Sequence, residues 1–389
     1  IAFEYSPEAI QQGVELSSYL LPLKGLPFRQ GFPTHQMGLP GPVYDALPDG
    51  WGMMLMDRYF KKIGLNSARI GPLERLTYIS SHAMGALSFE PCVADMQTSE
   101  NIPLQQLAQE VQEVLKGEGG EFLQHLLVMG SSPQGARPKA LVYRDPVNLE
   151  FSTQDSDQHE AWLIKFPAQQ EHPEVCAIEA VYAECLRLCA IETPDTHFFN
   201  LPNGLTAFAS KRFDRQNGMR IPMQSLAAYT GADYKVPGSL DYRNFLRATL
   251  MCTQDVRERL HAFKRAVFNV LFNNRDDHTK NFSFLMEKNG QWKLAPAYDV
   301  TFCEGPGGYH QMDIMGEALN ISRNDIHKLG TSEANLTTLE VDEIILTMRE
   351  IALQFSQIAQ RLYPHQIRES TLQMIQSRIQ QNIDFLTET

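Results

Sequence analysis

Hydrophobic positions recur along this chain with two periods. Trp51, Met54, Leu55 and Tyr59 fall at helical spacing behind Asp49, a residue suited to cap a helix, so the pattern predicts a helix over 50–62. Leu104, Leu107, Val111 and Leu115 predict another over 103–116. Val175, Ile178, Tyr182, Leu186 and Cys189 share one face of a third over 174–190. Helical patterns also cover 243–252, 255–273, 339–362 and 366–387. Short apolar runs predict strands at 140–143, 161–166, 198–199, 206–209 and 282–286, and a further strand starting at Trp292. The polar stretch 144–160 reads as an exposed hairpin loop, and Ile1–Tyr5 reads as a strand. The rest of 1–45 is rich in Pro and Gly and predicts irregular structure with short strands. No repeat or low-complexity segment interrupts this layout. Strands dominate to about residue 215 and helices follow.

Composition narrows the class. At 389 residues the chain has room for two or three domains or one large bilobed one. A hydrophobic share of 43% and a charged share of 21% exclude global disorder. No run approaches the roughly 18 apolar residues of a membrane span. The net charge of −12 argues against non-specific nucleic-acid binding. Cys92, Cys176, Cys185, Cys189, Cys252 and Cys303 form no CxxC pair, and no His pair has zinc-site spacing. They read as reduced, buried thiols of a cytoplasmic protein. The chain begins at Ile1 without a signal-peptide pattern, and its start is expected upstream.

Four segments carry candidate chemistry. Asn274–Asn281 follows a long apolar helix, precedes a strand and contains Asp276-x-x-x-x-Asn281. Protein kinases use that spacing in a catalytic loop, where the Asp accepts the substrate hydroxyl proton and the Asn binds a metal ion. A polar helix–strand turn also shows such a pair. Next, Trp292–Asp299 is a short strand ending in Asp, where kinases hold Mg²⁺. Val300-Thr301 follows in place of Phe-Gly, and the plain alternative is an Asp299 that caps the next turn. Lys165 lies in a strand between Ile164 and Phe166, with Glu179 in the following helix. Kinases put such a lysine on the nucleotide phosphates and pair it with a helix Glu. The plain alternative is a solvated strand lysine. Finally, the loop Gly130–Lys139 is glycine-bearing but is neither GxxxxGK[ST] nor GxGxxG, and it carries Ser131 and Ser132. Loop, strand Lys, helix Glu, Asp…Asn and Asp follow one another in the order of a bilobed kinase.

The chain resembles the HipA-like serine/threonine kinase toxins of bacterial toxin–antitoxin systems. The resemblance rests on Ser132–Lys139, Ile164–Pro167, Lys211–Arg215, Asp276–Ser283 and Pro296–Asp299, and in the N-terminal part on Leu47-Pro48-Asp49 with Trp51 and on Met84–Leu87. It implies an α+β, bilobed protein-kinase-like fold of HipA type, with a mixed α/β N-terminal lobe, a mostly helical C-terminal lobe and ATP between them. The segments would be an N-terminal subdomain (1–125), the nucleotide-binding part of the N-lobe (126–215) and the helical C-lobe (216–389). The resemblance also implies roles. Asp276 is the catalytic base, with His278 and Lys280 in the same element. Asn281 and Asp299 hold Mg²⁺. Lys165 binds the ATP phosphates, with Gly135, Lys139 and Glu179 on the nucleotide side. Lys211 and Phe213 lie at the adenine hinge, with Asp214 beside them. Ser132, or less favoured Ser131, is the autophosphorylation site whose modification expels the loop. Asp277 stands where the family often has Gly, and Lys211 where it has an acidic residue.

The implied partners are a protein substrate, an aminoacyl-tRNA synthetase in the family, and a helix-turn-helix antitoxin supplied in trans or fused upstream of Ile1. DNA would be reached only through the antitoxin or that upstream part, and no membrane is involved. Two alternatives stand beside this reading. Phosphoinositide-kinase loops also resemble Asp-x-His-x-x-Asn, so a lipid or small-molecule kinase is one; the HipA-like residues 1–125 argue against it. A catalytically idle antitoxin- or DNA-binding co-repressor is the other; the intact set Lys165, Asp276, Asn281 and Asp299 argues against that.

Overall fold

The strand-period segments of the first half pair into one antiparallel sheet. In this computed structural model, residues 1–29, 31–93, 101–117, 126–127, 135–154 and 158–387 are described. The strands are β1 (Lys139–Arg144), β2 (Phe151–Ser152), β3 (Glu160–Lys165), β4 (Thr196–Asn200) and β5 (Thr206–Lys211), in the spatial order β2-β1-β3-β5-β4. Register sets Lys139 opposite Lys165, Lys165 opposite Phe208 and Trp162 opposite Lys211. A two-stranded ribbon follows, β6 (Arg215–Gln216) with β7 (Met219–Arg220). β8 (Met223–Ser225), β9 (Ser283–Met286) and β10 (Trp292–Leu294) form a third sheet with β9 central.

The helices in chain order are α1 (Pro7–Gln12), α2 (Gly41–Tyr44), α3 (Gly50–Lys62), α4 (Pro72–Ile79), α5 (Leu104–Lys116) and α6 (Glu174–Leu188). Then come α7 (Leu226–Thr230), α8 (Tyr242–Thr253), α9 (Val256–Leu271), α10 (Arg323–Glu333), α11 (Thr338–Leu353), α12 (Phe355–Leu362) and α13 (Glu369–Thr387). α3 keeps the predicted bounds and buries Trp51, Leu55, Met56 and Phe60. Asp49 precedes it without a capping bond from its side chain. The carboxylate accepts the backbone N–H of Gly135 instead. The helix expected over 339–362 is two helices, because Gln354 leaves helical geometry at φ −95°, ψ 4° and Phe355 turns fully inward. No Pro or Gly marks that break. The strand expected at Ile1–Tyr5 is a single bridge between Phe3 and Phe28. α10 was not expected, although Ser322 and Asp325 form a capping box, a signature readable in sequence.

Two compact units result. One comprises Ile1, Gly31–Cys176 and Asp195–Met223, and the other Ala2–Gln30, Ala177–Pro194 and Gln224–Thr389. They interleave along the chain, so residues 2–30 group with the C-terminal helices. The core of the second unit is dense in aromatic rings. Tyr182 packs near Phe268, Phe272 and Phe355, and its hydroxyl donates to the Phe272 carbonyl at 2.5 Å. All six cysteines are unbridged, but Cys92 is exposed and Cys303 half-buried, which corrects the expectation of six buried thiols. Cys92 lies outside any helix or strand, so no packed face covers it. Among the described residues no helix is long and apolar enough to cross a membrane.

Candidate active site

In the first unit the paired strands put two lysines on one face of the sheet, since directly opposed residues share a face. Lys139 is 2% and Lys165 5% exposed, so the solvated reading of Lys165 does not hold. The Lys165 ammonium lies 5.9 Å from the centre of the Phe208 ring. Gly135 arrives at φ +112°, and the Lys139 ammonium fills the space a Cβ would need there. The N-terminus of α3 holds this end of the glycine-bearing loop. Asp49 accepts from Gly135 N–H, Trp51 N–H donates to the Gly135 carbonyl at 3.2 Å, and the Trp51 indole donates to the Lys139 carbonyl at 3.0 Å. A Cβ on Gly50 would stand 2.7 Å from the Gly135 oxygen, so glycine is required at this contact. Arg137 is bound to Glu171 at 2.8 Å. Ser131 and Ser132 lie outside the described residues.

At the far end of β5, Lys211 forms an ion pair with Glu160 at 2.5 Å. Burial alone would raise the Glu160 pKa, but the Lys211 ammonium outweighs it and holds the group low. Phe213 is half-buried. Asp214 is fully buried. It takes Arg212 Nε and Nη2 at 2.9 and 2.7 Å, Arg215 Nη1 at 2.8 Å and Gly85 N–H at 2.7 Å. Arg215 also donates to the carbonyls of Ala83 and Gly85, both at 2.9 Å. Burial would raise the Asp214 pKa, but the two guanidiniums keep it below the usual carboxylate range. Through these bonds Asp214 ties β5 to the Gly85 turn.

The second unit carries the catalytic-loop candidates. α9 ends where Asn273 turns left-handed at φ +54°, a conformation Asn tolerates better than most residues. Asn274 N–H then returns to the Asn269 carbonyl at 2.9 Å, and Arg275 N–H bonds the Cys303 carbonyl at 3.2 Å. The Asp276 side chain stays 46% exposed. Asn281 donates its amide to the Asp276 carbonyl at 2.6 Å, closing the loop on itself. His278 Nδ1 accepts Lys280 N–H at 3.2 Å, so its ring proton sits on Nε2, 3.8 Å from Asp276 Oδ1. Lys280 is buried with its ammonium 4.2 Å from the centre of the Tyr234 ring. Glu179 is buried on α6.

Asp299 adopts φ +55° at the end of a segment fastened on several sides. Ala295 N–H donates to the Ser283 carbonyl at 2.8 Å, Ala297 N–H to the Glu192 carbonyl at 2.7 Å, and the Tyr298 hydroxyl to the Lys280 carbonyl at 2.7 Å. Arg265 of α9 donates to the Ala295 carbonyl. No helix follows Asp299 before the turn Pro306–Gly308, so it caps no helix. Arg265, Asn269, Asn274, Asp277, Asn281 and Tyr298 line one cavity. Burial lowers the Arg265 pKa to about 10, and its Nε and Nη1, like Asn274 Oδ1, are buried without a partner among the described residues. The Asn281 amide nitrogen is committed to the Asp276 carbonyl, which leaves the side-chain oxygen as its acceptor group, and Asn281 lines the cavity together with Tyr298 and Val300. One amide and one carboxylate suit Mg²⁺, which takes few protein oxygens and completes its shell with phosphates and water. Among the described residues no group of three His, Cys, Asp or Glu is placed to hold a metal.

Residues 131–360 match the HipA-like C-terminal domain, and residues 1–90 match the HipA N-terminal domain. The chain belongs to the HipA-like family. The fold agrees with this. The HipA chain of the Shewanella oneidensis MR-1 complex of HipA, HipB and operator DNA superposes with a TM-score of 0.74 at 17% identity, covering 99% of this chain and 92% of that one. The mixed α/β, kinase-like HipA fold expected from the sequence is therefore present. A Haemophilus influenzae protein named "Putative kinase" is 25% identical over 193 residues. That match spans 44% of this chain and about half, 52%, of the relative's length.

Of the residues singled out in the sequence, Gly135, Lys139, Lys165, Lys211, Phe213 and Asp214 fall in the first unit of this HipA-like chain. Glu179, Asp276, His278, Lys280, Asn281 and Asp299 fall in the second. Sequence reasoning missed Gln311, Tyr242, His310 and Arg265. Arg265 and Asn269 did carry a signal, as polar residues four apart within the apolar run of α9. Gln311 and His310 sit in an irregular segment without period, so nothing local marked them.

Proposed function

We propose that this chain is an ATP- and Mg²⁺-dependent serine/threonine protein kinase of HipA type. The observation that supports this best is the Asp276–Asn281 loop. It presents a half-exposed Asp276 carboxylate on a loop that the Asn281 amide closes onto the Asp276 backbone carbonyl, inside a match to the HipA-like C-terminal domain. In this reading Asp276 accepts the proton of the attacking hydroxyl, and His278 orients it. Lys165 and Lys139 bind the nucleotide phosphates, whose negative charge relieves the repulsion of two ammonium groups set opposite each other. Gly135 lets the loop backbone approach, Lys211 and Phe213 serve the adenine, and Glu179 is the helix acid of the kinase pattern. Asn281 and Asp299 would hold Mg²⁺, which supplies charge neutralisation at the transferring phosphoryl group. The proposal extends to a protein substrate, with an aminoacyl-tRNA synthetase as the family precedent, to self-modification at Ser132, and to an antitoxin that carries the DNA contact.

The test is phosphoryl transfer by the purified chain with Mg-ATP. Asp276→Asn should keep its fold and nucleotide binding but lose about 10²–10⁴-fold in rate. Asp299→Ala should in addition weaken Mg-ATP binding. Phosphate on Ser132 in the active protein, absent from Asp276→Asn, supports self-modification. Full activity in Asp276→Asn overturns the assignment.

A further inference from the structure

The adjacent aspartates of the loop have opposite surroundings. Asp276 is half-exposed, whereas Asp277 is fully buried. Asp277 Oδ2 accepts the Tyr242 hydroxyl at 2.7 Å and meets His310 Nδ1 at 2.8 Å. Its Oδ1 accepts the backbone N–H of Gln311 at 2.7 Å. Tyr242 is held in turn by Asn269 Nδ2 at 2.9 Å, and Asn269 Oδ1 by Asn274 Nδ2 at 2.9 Å. The segment bearing Gln311 is pinned from its other side as well, by Gly238 N–H on the Gln311 carbonyl at 2.8 Å and Tyr242 N–H on the Asp313 carbonyl at 3.0 Å. From this anchored backbone the Gln311 side chain reaches forward, and its Nε2 donates to Asp276 Oδ1 at 2.8 Å. One residue therefore bonds both aspartates, the buried one through its backbone and the exposed one through its amide.

We infer that Gln311 is a positioning residue for Asp276, with Asp277 as the buried anchor that fixes where its amide arrives. This rests on the reading of Asp276 as the proton acceptor. A half-exposed carboxylate on a loop samples several rotamers. A neutral donor on Oδ1 selects one of them. Because the donor carries no charge, it orients the base without the strong loss of basicity that a lysine or arginine in its place would cause. The repeated Asp-Asp thus has a division of labour, with the second aspartate acting on the first through Gln311.

The experiment compares the full chain with Gln311→Met, Gln311→His and Asp276→Asn, reading Mg-ATP turnover as ADP release. Gln311→Met keeps the length and removes the donor. It should lower kcat about tenfold with the KM for ATP and the melting temperature unchanged. Gln311→His keeps an N–H and should recover part of that loss. In the Asp276→Asn background, Gln311→Met should add no further loss, since the group it positions is gone. A second measurement needs no turnover: the side-chain amide resonance of Gln311 should shift in Asp276→Asn. Wild-type kcat in Gln311→Met, a fully additive double variant or an unmoved amide resonance would overturn this inference while leaving Asp276 as the base. Full activity in Asp276→Asn would instead overturn the reading on which it rests.

Discussion

Asp214 and Asp277 are both fully buried carboxylates, and their partners separate their roles. Asp214 faces two guanidiniums, so removing its charge strands Arg212 and Arg215 in the interior. Asp214→Asn should destabilise the protein by roughly 3–5 kcal/mol in urea unfolding, the usual effect of breaking a buried pair from one side. The low pKa of Asp214 gives this contribution a pH signature. It is present above the unfolded carboxylate value of about 3.9 and fades as pH falls through the lower folded value. Wild-type stability should therefore drop more steeply than that of Asp214→Asn below about pH 4, and parallel curves would count against the pairing. Asp277 faces hydroxyl, imidazole and amide donors, which makes it a geometric anchor within a hydrogen-bond network.

At the scale of elements, close approach decides what substitution can do. In the second unit α10 meets α9 and α11 at Gly330. A Cβ there would lie 2.5 Å from Val341 Cγ2 and 3.0 Å from Phe263 Cζ. Gly330→Val should push these helices apart and lower stability by roughly 1–3 kcal/mol, measurable in thermal unfolding, with any loss of turnover tracking the unfolded fraction. A neutral result would mean that Phe263 and Val341 repack freely. The sheet of the first unit is constrained differently. Its register brings Lys139 opposite Lys165, and a slip by one residue would send one of them to the other face. Trp51, bonded to the Lys139 carbonyl, and Phe166 N–H on the Pro138 carbonyl at 2.9 Å fasten the strand ends that hold that register.

At the scale of the whole molecule, the chain returns to itself. Residues 2–30 precede the first unit in sequence yet group with the C-terminal helices. Leu21 is fully buried and Tyr5 nearly so, with the Tyr5 hydroxyl on the Leu21 carbonyl at 2.6 Å. Tyr19 lies 5.7 Å from Tyr229 of α7, ring centre to ring centre. Removing residues 2–30 should therefore weaken the helical unit, lowering its melting temperature by about 10 °C. An unchanged transition would show that the segment is dispensable there.

The candidate catalytic loop was legible because its residues are consecutive. Asp276, His278, Lys280 and Asn281 occupy one turn, and their spacing survives without knowledge of the rest. The bounds of α3, β1 and β3 were legible for a related reason: a period of 3.6 or 2 needs only a handful of neighbours to be recognised. Other features depended on partners far along the chain. Asp49 has the composition of a helix cap, but its carboxylate is taken by the N–H of Gly135, 86 positions away. Lys165 has the alternation of a solvated residue, but the β1 and β5 strands beside it help bury it. Asp214 is adjacent in sequence to Arg215 and two residues from Arg212, but its bond from the Gly85 N–H spans 129 positions. Gln311 lies 35 positions from the aspartate it bonds, in a segment without period. Local pattern thus marked most of the elements, their order and the candidate loop Asp276–Asn281, because those depend on adjacent residues. Tertiary structure decided which polar groups meet, because a hydrogen bond forms with whatever donor the folded backbone brings within about 3 Å, however distant in sequence.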